Sequence, residues 1–391
     1  MTYNPAILRD ALKTRSMSMR DLSTRLQMDV SDLRSEVEGT SEPGLGLIGK
    51  IAHELSLPKF AFFMSRPPEL NGALPDFRSD EPDETQKSRL TVEVIQFAQG
   101  VQRTAIELAN EPAHDLPQFT ATATQDVEAF ALRTRNYFGI TVEDQRDAKD
   151  AKVFYTLCRR KIEEKGIYVL HASFPSEDGS GFCLAHPKHP VIVVNTKNQT
   201  RARRLFTLIH ELAHVLMGKS GISDPFVRKN AVEKLCNRFA GAFLAPKAFI
   251  PALLKNVTPA KHPDTDDVAL VSRRLKISQE ASVLRLEQLG IFEEGSHSSW
   301  LAIVKSRGGN PDYSEKGGGG NGTPPPQEKT KLAKYGFHFA QVFSPLLATG
   351  KIDPINLYRA TGLKPAYQKA YFDYAKSLTS NALQDLDLDD E

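Results

Sequence analysis

A short motif of histidine and glutamate is the part of this chain whose residue types and spacing could do chemistry. His210, Glu211 and His214 read H-E-x-x-H inside a run of apolar residues. Residues four apart lie on one face of a helix, so the two imidazoles can bind one metal ion. Glu211 follows the first imidazole, where its carboxylate can polarise a water bound to that metal. The spacing is typical of zinc peptidases, although a five-residue pattern also arises by chance.

A catalytic zinc ion needs three protein ligands and one open position, so the motif requires a further ligand. In zinc peptidases of the glutamate-ligand class that ligand is a glutamate on the next helix, and Glu233 begins a predicted helix after the motif. Asn237 lies one turn later on the same face. We expect Asn237 to orient Glu233 or to support one of the two imidazoles.

The elements that must position these side chains are a small sheet and the helices around it. Short runs of β-branched and aromatic residues predict strands at 166–170, 181–184 and 191–195, all before the motif helix. An amphipathic helix is predicted at 231–243. The strand at 181–184 is the predicted sheet edge, to which an extended substrate strand could add.

Other polar residues near the motif are weaker candidates for a role. His171, and less so Tyr168, could stabilise an oxyanion, because both lie in or just after a predicted strand. His186 and His189 match the spacing of a metal pair, but the prolines around them predict a solvated loop.

A cluster of arginines precedes the motif helix. Arg201, Arg203 and Arg204 are interpreted as a solvated turn at the start of that helix. The alternative is that they anchor an acidic segment of a substrate.

Residues 1–66 are predicted to form a compact helical module. The run MSMRDLSTRLQMDVSDLRSEVEG resembles the helix-turn-helix of phage-repressor-type regulators, the Cro/CI or XRE class. That resemblance implies a recognition helix, starting near Ser31, that enters the major groove of DNA. The predicted helix carries more acids than bases, which opposes binding to phosphates. DNA binding and protein docking therefore both stay open, with Arg20, Arg25 and Arg34 as candidate contacts.

The segment VIVVNTKNQTRARRLFTLIHELAHVLMGKSG, followed by EKLCNRFAGAFLAP, resembles the ImmA/IrrE family of metallopeptidases. The resemblance covers residues 150–290. The chain departs from the family pattern at Cys236, where alanine is usual, and this thiol is interpreted as a small core residue.

The resemblance also implies roles for the residues of the motif and of the following helix. His210, His214 and Glu233 correspond to ligands of Zn²⁺, and Glu211 corresponds to the general base. Family members often cleave a repressor or another regulator of the XRE type and relieve repression after stress or DNA damage. They are often encoded on mobile elements or in defence loci. A repressor-like substrate is therefore expected for this chain by analogy with the family.

The predicted fold is α+β and mainly helical, with a small sheet beside the motif helix of a zincin-like domain and a helix-turn-helix bundle before it. Five segments are predicted: the helix-turn-helix module at 1–66, a linker and helical region at 67–150, the metallopeptidase at 151–295, a flexible linker rich in glycine and proline at 296–334, and a helical C-terminal region at 335–391.

The predicted function is site-specific cleavage of a partner regulator by a zinc endopeptidase. The alternative is a DNA-binding transcriptional regulator whose peptidase-like domain is a sensor or scaffold.

Composition bounds the compartment and the partners. The formal net charge of +2 gives no global drive toward nucleic acid or membrane. Three widely spaced cysteines form no disulfide framework, and the N-terminus has no apolar signal core, so we expect a cytoplasmic protein. No apolar run is long enough to span a bilayer. The sequence leaves open whether the protein is a homodimer.

Overall fold

The computed structural model describes part of the chain, in the ranges 3–15, 17–39, 42–55, 57, 62–63, 88–120, 124–223, 231–306 and 325–378. Residues 67–87 of the predicted linker and helical region at 67–150, the glycine-rich run at 307–324 and the acidic C-terminus at 379–391 lie outside these ranges. The described residues form an α+β fold, mostly helical, with one four-stranded sheet. Among the described helices, none combines the length and apolar character that crossing a bilayer requires.

The N-terminal module is a bundle with its own apolar core. Its helices are α1 (Pro5–Thr14), α2 (Met19–Leu26), α3 (Val30–Glu38) and α4 (Leu45–Glu54). Ser18 caps the start of α2, since its hydroxyl accepts from the backbone N–H of Asp21 while the Asp21 carboxylate accepts from the N–H of Ser18. Arg20, Arg25 and Arg34 are all exposed. Arg34 lies 3.7 Å from the carboxylate of Glu38 on the exposed side of α3.

The larger part of the chain is built around the sheet. Its helices are α5 (Arg89–Leu108), α6 (Val127–Tyr137), α7 (Val142–Asp147), α8 (Ala151–Glu163), α9 (Arg201–Leu216), α10 (Ala231–Leu244), α11 (Ile250–Leu253), α12 (Thr265–Leu275), α13 (Gln279–Gln288), α14 (Ser296–Ser306), α15 (Gln327–Ala348), α16 (Pro354–Thr361) and α17 (Pro365–Ser377). Its strands are β1 (Tyr168–Ala172), β2 (Gly181–Leu184), β3 (Val191–Asn195) and β4 (Gly221–Ser223).

The strand order corrects the predicted edge of the sheet. The order is β1-β3-β2-β4, with β1 parallel to β3 and β2 antiparallel to both of its neighbours. The strand at 181–184 is therefore internal, and the prediction that it forms the edge was wrong. The outer strand on that side is β4, which is three residues long and has too short a pattern to be read from the sequence.

Both faces of the sheet are buried, which explains the continuous apolar runs of β2 and β3. Alternate residues point to opposite faces. Val169, Cys183 and Ile192 enter a core shared with α8, α9 and α10. Leu170 and Phe182 enter a second core shared with α5, α15 and α17. The sheet is therefore the middle layer between the motif helix and the C-terminal helices.

The C-terminal segment belongs to this second core, and the predicted linker at 296–334 is helical at both ends. Residues of α14 and the start of α15 lie within that range, which corrects the prediction there. Trp300 of α14 is buried in the first core, while Leu332 and Phe339 of α15 are buried in the second. These apolar residues place α14 against α12 and α13, and α15 against β1, rather than in solvent.

A buried ion pair fastens α15 to the sheet. Arg159 and Glu163, one turn apart on α8, are almost fully buried and lie 3.4 Å apart. The guanidinium of Arg159 donates to the carbonyl oxygens of Val169 and Ala333, both at 2.7 Å. The carboxylate of Glu163 accepts from the backbone N–H of Phe337 at 3.1 Å. One ion pair thus contacts α8, β1 and α15, and removal of either partner would leave an uncompensated buried charge.

Gly336 makes this contact possible and supplies a test of it. Its φ of 78° and ψ of −176° suit glycine alone, and a Cβ at this position would overlap the Glu163 carboxylate. We expect Gly336→Ala to lower the free energy of unfolding by about 3 kcal/mol or more, from backbone strain and overpacking together. Gly350 also has a positive φ of 69° but faces open space. Gly350→Ala should therefore cost only about 1 kcal/mol. Equal losses for the two variants in urea unfolding would contradict the packing described for Gly336.

Candidate metal centre

The motif residues lie in the second half of α9, which packs on one face of the sheet. Thr200 begins this helix, since its hydroxyl accepts from the N–H of Arg203 at 3.2 Å. His210, Glu211 and His214 have no exposed side-chain surface. Three fully buried polar side chains in five residues are costly unless each has a specific partner.

The partner of both imidazoles is a carboxylate from the next helix, α10. Glu233 places one carboxylate oxygen 3.1 Å from Nε2 of His210 and the other 3.1 Å from Nε2 of His214. The two Nε2 atoms are 3.2 Å apart. The structure thus brings together the three side chains that were predicted from the sequence as ligands, with their ligand atoms 3.1–3.2 Å apart.

These separations fit a small tetrahedral ion. Zinc binds imidazole nitrogen and carboxylate oxygen at about 2.0–2.2 Å, so the ligand atoms of a tetrahedral site are separated by roughly 3.3 Å. The observed distances of 3.1, 3.1 and 3.2 Å match that edge length. The donor set of two imidazoles and one carboxylate is also the set that catalytic zinc sites use. The residues present therefore fit a zinc ion.

The protonation states favour a cation at this point. Burial lowers the pKa of His214, so its imidazole is neutral. Burial by itself raises the pKa of Glu233, but the close contacts with the His210 and His214 imidazoles outweigh burial, and the net pKa of this carboxyl is lowered. Neutral imidazole and ionised carboxylate are the forms that bind metal.

Asn237 supports the first imidazole. Its Oδ1 lies 2.9 Å from Nδ1 of His210. Because an amide oxygen only accepts, Nδ1 carries the proton and Nε2 keeps its lone pair toward Glu233. Asn237 was expected either to orient Glu233 or to support an imidazole, and this contact corresponds to the second role.

Glu211 lies where the sheet comes closest to α9. A Cβ added to Gly181 of β2 would come within 3.1 Å of a Glu211 carboxylate oxygen and 2.8 Å of both Thr207 and the carbonyl of Val193. Only glycine fits between the strand and the helix here. This requirement could not be predicted from the sequence, in which Gly181 is simply the first residue of a predicted strand.

Residues 162–287 match the family model of the Peptidase_M78, IrrE N-terminal-like, domain. The match runs from the end of α8 to the end of α13 and contains every residue of the centre described above. It supports the resemblance to the ImmA/IrrE family for this part of the chain and suggests a metallopeptidase domain. No curated protein matches the chain. The N-terminal bundle lies outside the match, so its helix-turn-helix character stays a prediction.

A thiol also lies beside the candidate metal centre. The ligand atoms of His210, His214 and Cys236 all lie within 4.8 Å of one another, and the three side chains are buried. Glu233 has the shorter distances to both imidazoles and is the better third ligand. The small core residue expected at 236 is therefore also a potential donor beside the metal centre.

The two residues considered for oxyanion stabilisation lie elsewhere. Tyr168 is buried in the second core, on the face of the sheet opposite to α9, so it cannot reach the centre. His171 is buried among Tyr155 and Arg159 of α8, with Nε2 3.2 Å from the Arg159 guanidinium. His171 is thus part of the network that fastens α15. Neither prediction of an oxyanion role is supported by these positions.

The arginines before the motif helix are structural in part. Arg204 is mostly buried and donates to the carbonyl of Thr196 at 2.7 Å, which ties α9 to the end of β3. Arg203 lies 3.4 Å from the hydroxyl of Ser180. The interpretation of all three arginines as a solvated turn was therefore wrong for Arg204, because its guanidinium is needed to satisfy a loop carbonyl.

A cavity of about 680 Å³ lies beside the centre, between α9, α10 and α13. Its lining includes Phe206, Asn237, Gly241 and Leu284. Asn237 thus forms part of the cavity wall and also bonds His210. The cavity therefore extends to the hydrogen bond that orients one of the proposed ligands.

The loop HPKHP corrects another prediction. His189 is buried, not solvated, because its ring lies beside Tyr168 of the second core. His338 of α15 is close by, since both imidazoles lie near Glu111. Glu111 lies 3.7 Å from His189 and 3.9 Å from His338. His114 joins the same group, with its ring against Gly166. His189 and His338 are buried and Glu111 and His114 are partly buried, and Tyr168, beside both His189 and His338, is on the opposite face of the sheet from the metal centre.

Burial of His338 predicts an acid-sensitive fold. Burial and the charges of His114 and His189 lower the pKa of His338, while a hydrogen bond with Gln341 raises it. The net effect is a pKa lowered from 6.5 to about 3. Between these values the unfolded chain binds a proton that the folded chain does not, so stability falls as pH falls below 6.5. The loss should reach at most about 1.4 kcal/mol per pH unit.

The variant His338→Phe should reduce the dependence of unfolding free energy on pH between 7 and 5, as measured by urea unfolding. The side chain of His262 is 79% exposed, and His262→Phe removes an imidazole without emptying the core. An unchanged slope in His338→Phe, equal to that of the His262 control, would show that this imidazole is not the source of the acid sensitivity.

Proposed function

We propose that the chain is a zinc-dependent endopeptidase that cleaves a partner regulatory protein at a specific site. The observation that carries the proposal is the convergence of His210, His214 and Glu233 beside Glu211, inside a segment that matches the M78 domain. These side chains are fully buried. Charge interactions between them are strong because the protein interior has a low dielectric constant.

The chemistry follows from the positions of the chain's own residues. When bound, the metal supplies a Lewis acid that polarises the scissile carbonyl of the substrate. Asn237 holds His210 in the tautomer that directs Nε2 to the metal. Glu211 acts as general base: it takes a proton from the attacking water and passes it to the leaving amine.

The substrate would bind as an extended strand along β4. This strand is one of the two outer strands of the described sheet, next to β2, and its Ser223 is paired with Gly181 of β2. Gly181 in turn adjoins Glu211. A strand added to β4 would therefore lie one strand away from the general base and would obtain its main-chain hydrogen bonds from the sheet edge.

The N-terminal bundle is proposed to select the partner. The exposed side of α3 carries Asp32, Glu36 and Glu38, so a basic protein surface suits it better than DNA phosphates. An XRE-type repressor or a related regulator, acting in a stress-response, mobile-element or defence locus, is the substrate class that the family resemblance implies. The three free, buried cysteines are compatible with a reducing cytoplasm.

The test of this function is Glu211→Gln in the full chain, assayed on a co-purifying or co-encoded repressor-like protein. We expect cleavage to fall by at least about 100-fold, since general base catalysis contributes that much, while the zinc content stays unchanged. The exposed Glu164 provides a matched Glu→Gln control.

The alternative function, a DNA-binding regulator with a peptidase-like scaffold, predicts the opposite pattern. In that case Glu211→Gln would keep full cellular activity, and removal of Arg20 and Arg25 would abolish it. Such a result would rule out the proposed enzyme.

A further inference from the structure

Cys236, where this chain differs from the ImmA/IrrE pattern, lies next to the proposed metal site. Cys236 is on α10, one helical turn after Glu233, so both side chains lie on the face of that helix that meets α9. Its side chain is completely buried. A core position would accept any small residue, but a sulfur atom at this place is within range of two imidazoles.

The distances suit a ligand to the same ion. The sulfur of Cys236 and the ligand nitrogens of His210 and His214 are all within 4.8 Å of one another. In a tetrahedral zinc site with Zn–N of about 2.1 Å and Zn–S of about 2.3 Å, a sulfur and a nitrogen lie roughly 3.6 Å apart. The limit of 4.8 Å on the observed separations exceeds that value by about 1.2 Å, so the sulfur lies near the range of a ligand to the same ion.

The other two cysteines do not share this arrangement. Cys183 is on β2 and its sulfur lies 3.2 Å from the carbonyl oxygen of Lys219, to which it donates. Cys158 is buried in the core on α8. Both are buried thiols of the same chain, so they serve as matched controls for Cys236.

We propose that the thiolate of Cys236 is a fourth protein ligand of the metal and that it holds the peptidase in a closed, latent state. This inference rests on the proposed function, because it concerns the same ion. Two imidazoles, a carboxylate and a thiolate complete a tetrahedron, which is the coordination of structural rather than catalytic zinc. As the metal–sulfur bond forms, the thiol proton passes to solvent. To open the site, the sulfur of Cys236 would have to leave the metal and take a proton from solvent, which would free one position for water.

Substitution of zinc by Co²⁺ in the full-length protein tests the proposal, because cobalt–thiolate bonds absorb strongly in the near ultraviolet. We expect the wild-type protein to show this sulfur-to-cobalt band together with the visible bands of tetrahedral cobalt. Cys236→Ala should lose the ultraviolet band and keep the visible ones. Cys183→Ala and Cys158→Ala should keep both.

Metal affinity and peptidase activity give two further readouts. The Kd for Co²⁺ should rise at least about tenfold in Cys236→Ala, since losing a ligand should cost no less than losing a ligand's hydrogen-bond partner. Cleavage of the partner protein by the zinc form should rise in the same variant. A rise in Kd without the spectral change would show a packing effect and overturn the proposal.

The failure of this inference differs from the failure of the proposed function. If wild-type protein binds one Co²⁺ with no sulfur band, Cys236 is not a ligand, while the site of His210, His214 and Glu233 stands. If Co²⁺ does not bind, and His210→Ala makes no difference, the metal centre itself is absent and both proposals fall.

Discussion

Two imidazoles and a carboxylate meet in the interior of this protein with no exposed surface, and this meeting constrains the structure around it. Nε2 of His210, Nε2 of His214 and the carboxylate of Glu233 lie 3.1–3.2 Å from one another. Burial of so many polar atoms is costly unless a cation or hydrogen bonds compensate. The spacing and the protonation states suit a divalent cation, so metal binding and folding of this region are expected to be coupled.

The surrounding fold keeps α9 and α10 at the distance that this meeting requires. The sheet supports α9 on one face, with Gly181 allowing the closest approach beside Glu211. Helix α15, the first of the C-terminal helices α15 to α17, covers the other face and is fastened there by the buried pair of Arg159 and Glu163. A segment more than a hundred residues after the motif therefore helps to hold the sheet that positions it. The M78 match ends before this segment, so the C-terminal helices extend the structural unit beyond the matched domain.

The sequence was sufficient for the local features of the site and insufficient for its surroundings. Helix periodicity and ligand chemistry selected His210, His214 and Glu233, because four-residue spacing and an acidic residue on the next helix are local patterns. Strand order could not be read, since pairing depends on long-range contacts, and the strand at 181–184 proved internal. His189 was predicted to be solvated because its burial comes from α15, which is distant in sequence. Cys236 is a buried core residue as predicted, but its nearness to the two imidazoles depends on how α10 packs against α9, which the helical pattern does not show.

The central claim is that His210, His214 and Glu233 together bind one zinc ion. The most direct test is the zinc content of the purified full-length protein, measured by elemental analysis beside the variants His210→Ala and Glu233→Ala. The account predicts about one zinc per chain in the wild-type protein and a large loss in both variants that still fold. A wild-type protein with almost no zinc after incubation with the metal, or variants that bind as much zinc as the wild type, would contradict it.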